Sequence, residues 1–169
     1  MNFRIAILGS SIALVALLPS GGVYARPAAS EIDKAFVGKV SQGGMYEVEA
    51  SKLAAQRAVA PDVKDLAVAE VHDHEGVNRR LKRIVADSGA PISDRLNSEF
   101  QERLEKLKNA GDATFDEAYV TDMQQIHDKD ERLFAQEATE GSEQFKSFAH
   151  QTDLIVKRHI GTLHGLDSK

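Results

Sequence analysis

The chain contains no cysteine, which excludes disulfide bonds, thiolate metal sites and thiol catalysis. It also lacks any block of basic residues. Its 21 lysines and arginines are outnumbered by 26 acidic residues, for a net charge of −5. Binding to nucleic acid needs such a block to neutralise phosphates, so we expect no nucleic-acid partner.

The common sequence signatures of catalysis are also missing. There is no Gly-x-Ser-x-Gly elbow and no glycine-rich phosphate loop, and no segment alternates between apolar and polar residues as a strand does. The sequence therefore favours a protein that is not an enzyme. If it is an enzyme, we expect a metal-dependent oxidoreductase.

Residues 1–25 have the pattern of a secretory signal peptide. Arg4 precedes an apolar run from Ile5 to Leu18, Pro19 ends the run, and a small-x-small cleavage site closes at Ala25. The alternative is an uncleaved anchor, but the run is shorter than the roughly 20 apolar residues of a membrane span. We therefore predict a periplasmic protein without a membrane span in its mature chain, consisting of a short linker (residues 26–30) and a single domain (residues 31–166).

The domain is expected to be an all-α, ferritin-like four-helix bundle. Helical periodicity predicts long helices over residues 31–58, 61–87, 114–139 and 143–166, and a shorter crossing helix over residues 93–109. Ser30 with Asp33, and Thr114 with Glu117, have the spacing of capping boxes. The crossing helix would be about 25 Å long, which lets helices two and three start at the same end of the bundle.

Four ionisable residues lie on the apolar stripes of the four long helices: Glu47, His74, His127 and His159. On the first predicted helix, Ile32 is expected to lie on the same inward face as Glu47. Counting residues from the predicted turns places the first three ionisable residues at one level of the bundle and His159 about one helical turn away. The other three histidines, His72, His150 and His164, are expected to face solvent.

A charged or imidazole side chain on an inward stripe requires a partner. We therefore predict one transition-metal ion (zinc, iron, manganese or copper) with Glu47, His74, His127 and His159 as ligands. Glu70, Asp73 and Tyr119 would support these ligands from outside. Because no Glu-x-x-His motif occurs, a two-metal centre is disfavoured. The alternative is a metal-free polar layer whose members satisfy one another.

At these positions the chain resembles a known family. The resemblance lies in Gly44-Met-Tyr-Glu47-Val-Glu-Ala-Ser-Lys-Leu-Ala54, in Asp73-His74 after Leu66-Ala67, in Phe115-Asp116-Glu-Ala-Tyr119, and in the later His127 and His159. The family is DUF4142, exported bacterial proteins of unknown function. The resemblance implies a ferritin-like bundle in an exported protein and singles out Glu47, Asp73, His74, Asp116, Tyr119, His127 and His159, without roles.

Two functions stay open at this point. The first is metal binding in the cell envelope, for metal handling or stress protection. The second is a structural or interaction protein in which the Glu/His layer only stabilises the bundle. In an interaction protein, the exposed face of residues 93–109 would bind the partner, which would be a second copy of the chain or another envelope protein.

Overall fold

The helices begin and end where the chain offers caps and breakers. In the computed structural model, which describes residues 28–167, the Ser30 hydroxyl accepts a hydrogen bond from Asp33 N, and the Asp33 carboxylate accepts one from Ser30 N. This capping box begins α1, as predicted. Pro61 lies in the first turn of α2, and Gly89 ends that helix in the left-handed conformation (φ 71°). The helices are α1 (Glu31–Arg57), α2 (Pro61–Ser88), α3 (Ser98–Lys108), α4 (Phe115–Glu140) and α5 (Glu143–Asp167).

Two antiparallel hairpins, α1–α2 and α4–α5, form the bundle, and α3 lies across α1 and α4. The starts of α2 and α4 meet, because the Asp116 carboxylate accepts hydrogen bonds from Val59 N and Ala60 N. At the opposite end, the start of α5 meets that of α1, because Asp33 accepts a hydrogen bond from Ser142 N. The predicted all-α, ferritin-like bundle with a long connection is confirmed.

Among the described residues, the buried apolar side chains form two clusters. The first includes Ala50, Leu66, Tyr119 and Leu163. The second, around Phe36, Leu81, Phe134 and Phe148, contains edge-to-face phenylalanine pairs. All four long helices contribute to both clusters.

Three local predictions are wrong. Ile32 is 43% exposed, because the inward position in the first turn of α1 is taken by the next residue, Asp33, which is buried. The crossing helix begins only at Ser98, since Asn97 supplies the side-chain cap for it. Thr114 forms no side-chain cap, because its hydroxyl donates to the Gly111 carbonyl within a 3₁₀ turn, Asp112–Thr114.

The expected exposure of the other three histidines is confirmed. His72, His150 and His164 are exposed. Gly44 is a point of close approach between helices: its carbonyl accepts a hydrogen bond from the Asn78 side chain, and a β-carbon there would collide with that amide. None of the helices within residues 28–167 has the length and apolar character to cross a membrane. The predicted signal peptide lies outside the described residues.

Candidate metal centre

Three imidazoles and one carboxylate meet in the middle of the bundle. Glu70 and His74 come from α2, His127 from α4 and His159 from α5, and their candidate ligand atoms all lie within 4.8 Å of one another. No side chain of the four is more than 2% exposed. The three rings lie 5.3 to 5.5 Å apart between centroids. We call these four residues the inner cluster.

The Glu70 carboxylate lies at the centre of the inner cluster. Its Oε2 is 3.1 Å from His74 Nε2, and its Oε1 is 3.2 Å from His127 Nε2 and 3.1 Å from His159 Nδ1. The last two nitrogens are 3.2 Å apart. For comparison, ligand atoms arranged tetrahedrally at zinc–nitrogen bond lengths are about 3.3 Å apart. The spacing thus suits a single ion bound between these atoms.

The other nitrogen of each ring faces an acceptor. A ring that donates a proton outward directs the lone pair of its second nitrogen inward, which is how protein ligands to metals are usually oriented. The three outward pairs are His127 Nδ1 with the Met123 carbonyl oxygen at 2.9 Å, His159 Nε2 with Asp73 Oδ2 at 2.9 Å, and His74 Nδ1 with Glu47 Oε2 at 3.0 Å.

Several inward atoms lack hydrogen-bond partners. Within residues 28–167, neither Glu70 oxygen nor His74 Nε2 has one, although His74 Nε2 and Glu70 Oε2 are only 3.1 Å apart. Buried polar atoms are nearly always paired, so such orphans require an explanation. Either a cation held between the lone pairs or protons on the facing imidazoles would satisfy all three atoms, and the residues present therefore fit a metal ion.

The pKa values of the inner cluster show that its carboxylates stabilise positive charge on the neighbouring imidazoles. Burial alone would raise the pKa of Glu70, but the facing histidines hold it well below its usual value. Burial alone would lower the pKa of His74 and of His127, but Glu47 and Glu70 raise the first well above its usual value and the second to about 9. Protons can therefore balance the buried carboxylates when an ion does not.

The two glutamates exchange their predicted roles in the structure. The three predicted histidine ligands belong to the inner cluster, together with Glu70, which we had placed in a supporting role. Glu47, predicted as a ligand, instead faces the outward nitrogen of His74. Glu70 lies one helical turn before His74 on the same stripe, so periodicity brings both acids inward but does not show which one reaches the centre.

Asp73 and Tyr119 lie outside the inner cluster. The Asp73 carboxylate accepts hydrogen bonds from the candidate ligand His159 and from Arg158 Nη2 at 2.5 Å. The Tyr119 hydroxyl pairs with Ser51 Oγ at 2.9 Å. Sequence reasoning also missed the position of Asp130, whose pKa is raised well above its usual value by burial and by the neighbouring Glu47 carboxylate. Its position on α4, three residues after His127, was the available signal.

His159 lies at the level of the other histidines, so its predicted displacement by one turn is wrong. The reason is the tilt of helical side chains toward the N-terminus of their own helix. His127 and His159 lie on antiparallel neighbours, with α4 running toward the connecting turn and α5 away from it. The two side chains therefore lean toward each other along the bundle axis, which closes the gap between their α-carbons.

Fold and site together define a ferritin-like helical bundle with a buried three-histidine, one-glutamate cluster at its centre. The chain belongs to the family described as a domain of unknown function (DUF4142), whose profile matches residues 18–166. Its fold is similar to that of a crystal structure of a DUF305 fragment from Deinococcus radiodurans, with a TM-score of 0.73 and 14% sequence identity. That match covers 83% of this chain and 97% of the fragment. No protein of curated function matches the chain.

Proposed function

We propose that this protein binds one first-row transition-metal ion in the inner cluster and serves in metal handling or stress protection in the cell envelope. The observation that carries the proposal is the convergence of four buried ligand atoms within 4.8 Å, with Glu70 and His74 atoms that lack hydrogen-bond partners in the described part of the chain. Glu70, His74, His127 and His159 would hold the ion.

The donor set limits which metal would bind. Three imidazole nitrogens and one carboxylate oxygen suit zinc, iron, manganese or copper, whereas calcium and magnesium prefer oxygen ligands alone. A bound ion would supply Lewis acidity or, for the redox-active metals, electron transfer. Glu47, Asp73 and the Met123 carbonyl would hold the three rings in the orientation that directs the lone pairs inward.

The first test is elemental analysis of protein purified without a histidine tag and without chelator. We expect about one transition-metal ion per chain, lost in His127→Ala and retained in His150→Ala. His150 is a matched control because it is exposed on α5 and lies outside the inner cluster. Wild-type protein that stays empty after dialysis against each of the four metals would refute the proposal and favour the metal-free polar layer.

Two glutamate variants test which carboxylate binds the metal and which one only orients a ligand. We expect Glu70→Gln to abolish metal retention, because it removes a carboxylate from the centre of the inner cluster. Glu47→Gln should weaken affinity by about 10- to 100-fold, as is usual for a group that orients a ligand. The opposite order of severity would identify Glu47 as the ligand, as the sequence alone had suggested.

Export to the periplasm is part of the proposal and has its own test. It is supported by the basic start, apolar run and small-x-small site of residues 1–25. N-terminal sequencing of protein from a periplasmic extract should begin at Arg26. Protein recovered only from the cytoplasm with Met1 retained would contradict this placement without affecting the metal site.

A further inference from the structure

A cleft of about 490 Å³ opens on the side of the bundle where α1, α3 and α4 meet. Three basic side chains, Lys39, Lys129 and Arg132, line it, and all three are exposed. Within residues 28–167, none of the three has an ion-pair partner. A fourth cation of the cleft, Arg103, is already neutralised by Asp122 at 2.6 Å.

The wall of the cleft is apolar where Phe100, Ile126 and Leu133 line it. The cleft thus combines an apolar surface with three unpaired positive charges. The acidic residues that line it are Glu99 and Asp130. Small-molecule sites typically have volumes of about 300–1,000 Å³ and pair an apolar lining with a few charged groups that fix orientation.

We propose that this cleft binds a small organic anion, a carboxylate with an apolar body, whose charge pairs with Lys39, Lys129 and Arg132. A metal cation is disfavoured by the three positive charges, and a neutral apolar molecule would leave them without a counter-charge. This inference does not depend on metal binding in the inner cluster.

The probe is sodium octanoate, titrated into metal-free protein and followed by NMR. We expect saturable binding with a Kd of about 1 mM or below, with shifts at Ile126 and Leu133. Octan-1-ol, which has the same chain without the charge, should not produce them. Lys129→Ala/Arg132→Ala should weaken binding by about tenfold or more. Lys64→Ala/Lys146→Ala, which removes two positive charges outside the cleft, should leave it unchanged.

A second variant tests the cleft without removing charge. Gly38 lines the cleft, and a β-carbon built there meets no atom within 4 Å, so Gly38→Leu should fold and block binding. Gly161, with equally open surroundings on α5, is the control: Gly161→Leu should bind octanoate like the wild type. His127→Ala should also bind it, which separates this proposal from metal binding.

The proposal is overturned by any of three results. These are no saturation up to about 10 mM octanoate, equal shifts with octan-1-ol, or binding unaffected by both Gly38→Leu and the double charge variant. The first would leave the cleft without this ligand class, and the second would identify an apolar groove without charge recognition. The third would place octanoate elsewhere on the protein.

Discussion

Glu137 lies at the end of the bundle where α4 turns into α5, and its side chain is only 2% exposed. Its neighbour Asp33 accepts hydrogen bonds from Ser142 N and Ser30 N, which lower the pKa of Asp33 although burial alone would raise it. Burial and the hydrogen bond with Asp33 raise the pKa of Glu137 to about 8, from an ordinary value of 4.5. Glu137 therefore holds a proton in the folded protein at neutral pH.

This raised pKa makes folding depend on pH. The folded state binds a proton at Glu137 that the unfolded state releases above pH 4.5, so stability from this group is complete below that pH and is lost as pH rises through about 8. The slope approaches about 1.4 kcal/mol per pH unit between those limits. From pH 5.5 to pH 7.5 the free energy of unfolding should fall by about 2.5 kcal/mol on account of Glu137.

The assay is urea unfolding of metal-free wild type and Glu137→Gln at pH 5.5 and 7.5. Because both proteins carry the same histidines, the difference between them cancels the titration of the inner cluster. We expect Glu137→Gln to gain about 2.5 kcal/mol relative to wild type between the two pH values. Glu117→Gln, a change of the same kind at an exposed position of α4, should stay parallel to wild type. Parallel behaviour of Glu137→Gln as well would refute the proton assignment.

Three further predictions concern the stability of the bundle and are checked by urea unfolding. Gly44→Ala should destabilise it by about 1–3 kcal/mol, because the added carbon displaces the Asn78 amide, whereas Gly38→Ala, with open space around it, should be neutral or stabilising by up to about 1 kcal/mol. Asp116→Ala should lose about 1–2 kcal/mol, because the carboxylate accepts from two backbone N–H groups at the start of α2. Phe134→Ala should lose about 3–5 kcal/mol from the second core cluster. A decrease in the free energy of unfolding of less than about 0.5 kcal/mol in the destabilising variants would contradict these predictions.

The helical architecture could be predicted because long amphipathic repeats and strong breakers occur together. The spacing of Phe36, Val40 and Glu47 along one face of α1 is a local property of the chain, and Gly89 and Gly141 mark where helices end. A prediction from residue type failed where a different nearby group formed a hydrogen bond with the side chain. Thr114 has the residue type of a cap, but its hydroxyl instead bonds to the carbonyl of Gly111.

For the candidate site, the sequence predicts which helix faces point inward, but not which side chains meet at the centre. Periodicity identifies His74, His127 and His159 as inward, but it does not determine how far each side chain leans along the bundle axis. For that reason the level of His159 was wrong, and Glu70 rather than Glu47 lies at the centre. The supporting contact from Asp73 to His159 joins α2 to α5, and a contact between helices so distant in sequence leaves no trace in residue spacing.

The division of the apolar core into two clusters has a consequence for the cooperativity of unfolding. Each long helix contributes to both clusters, so one end of the bundle cannot fray past the middle without bringing water to Glu70 and the three rings. An ion bound there would join the hairpin of α1 and α2 to that of α4 and α5 by bonds far stronger than the surrounding contacts. The backbone amides near the midpoint, rather than those of the phenylalanine-rich end, should then exchange their hydrogens most slowly.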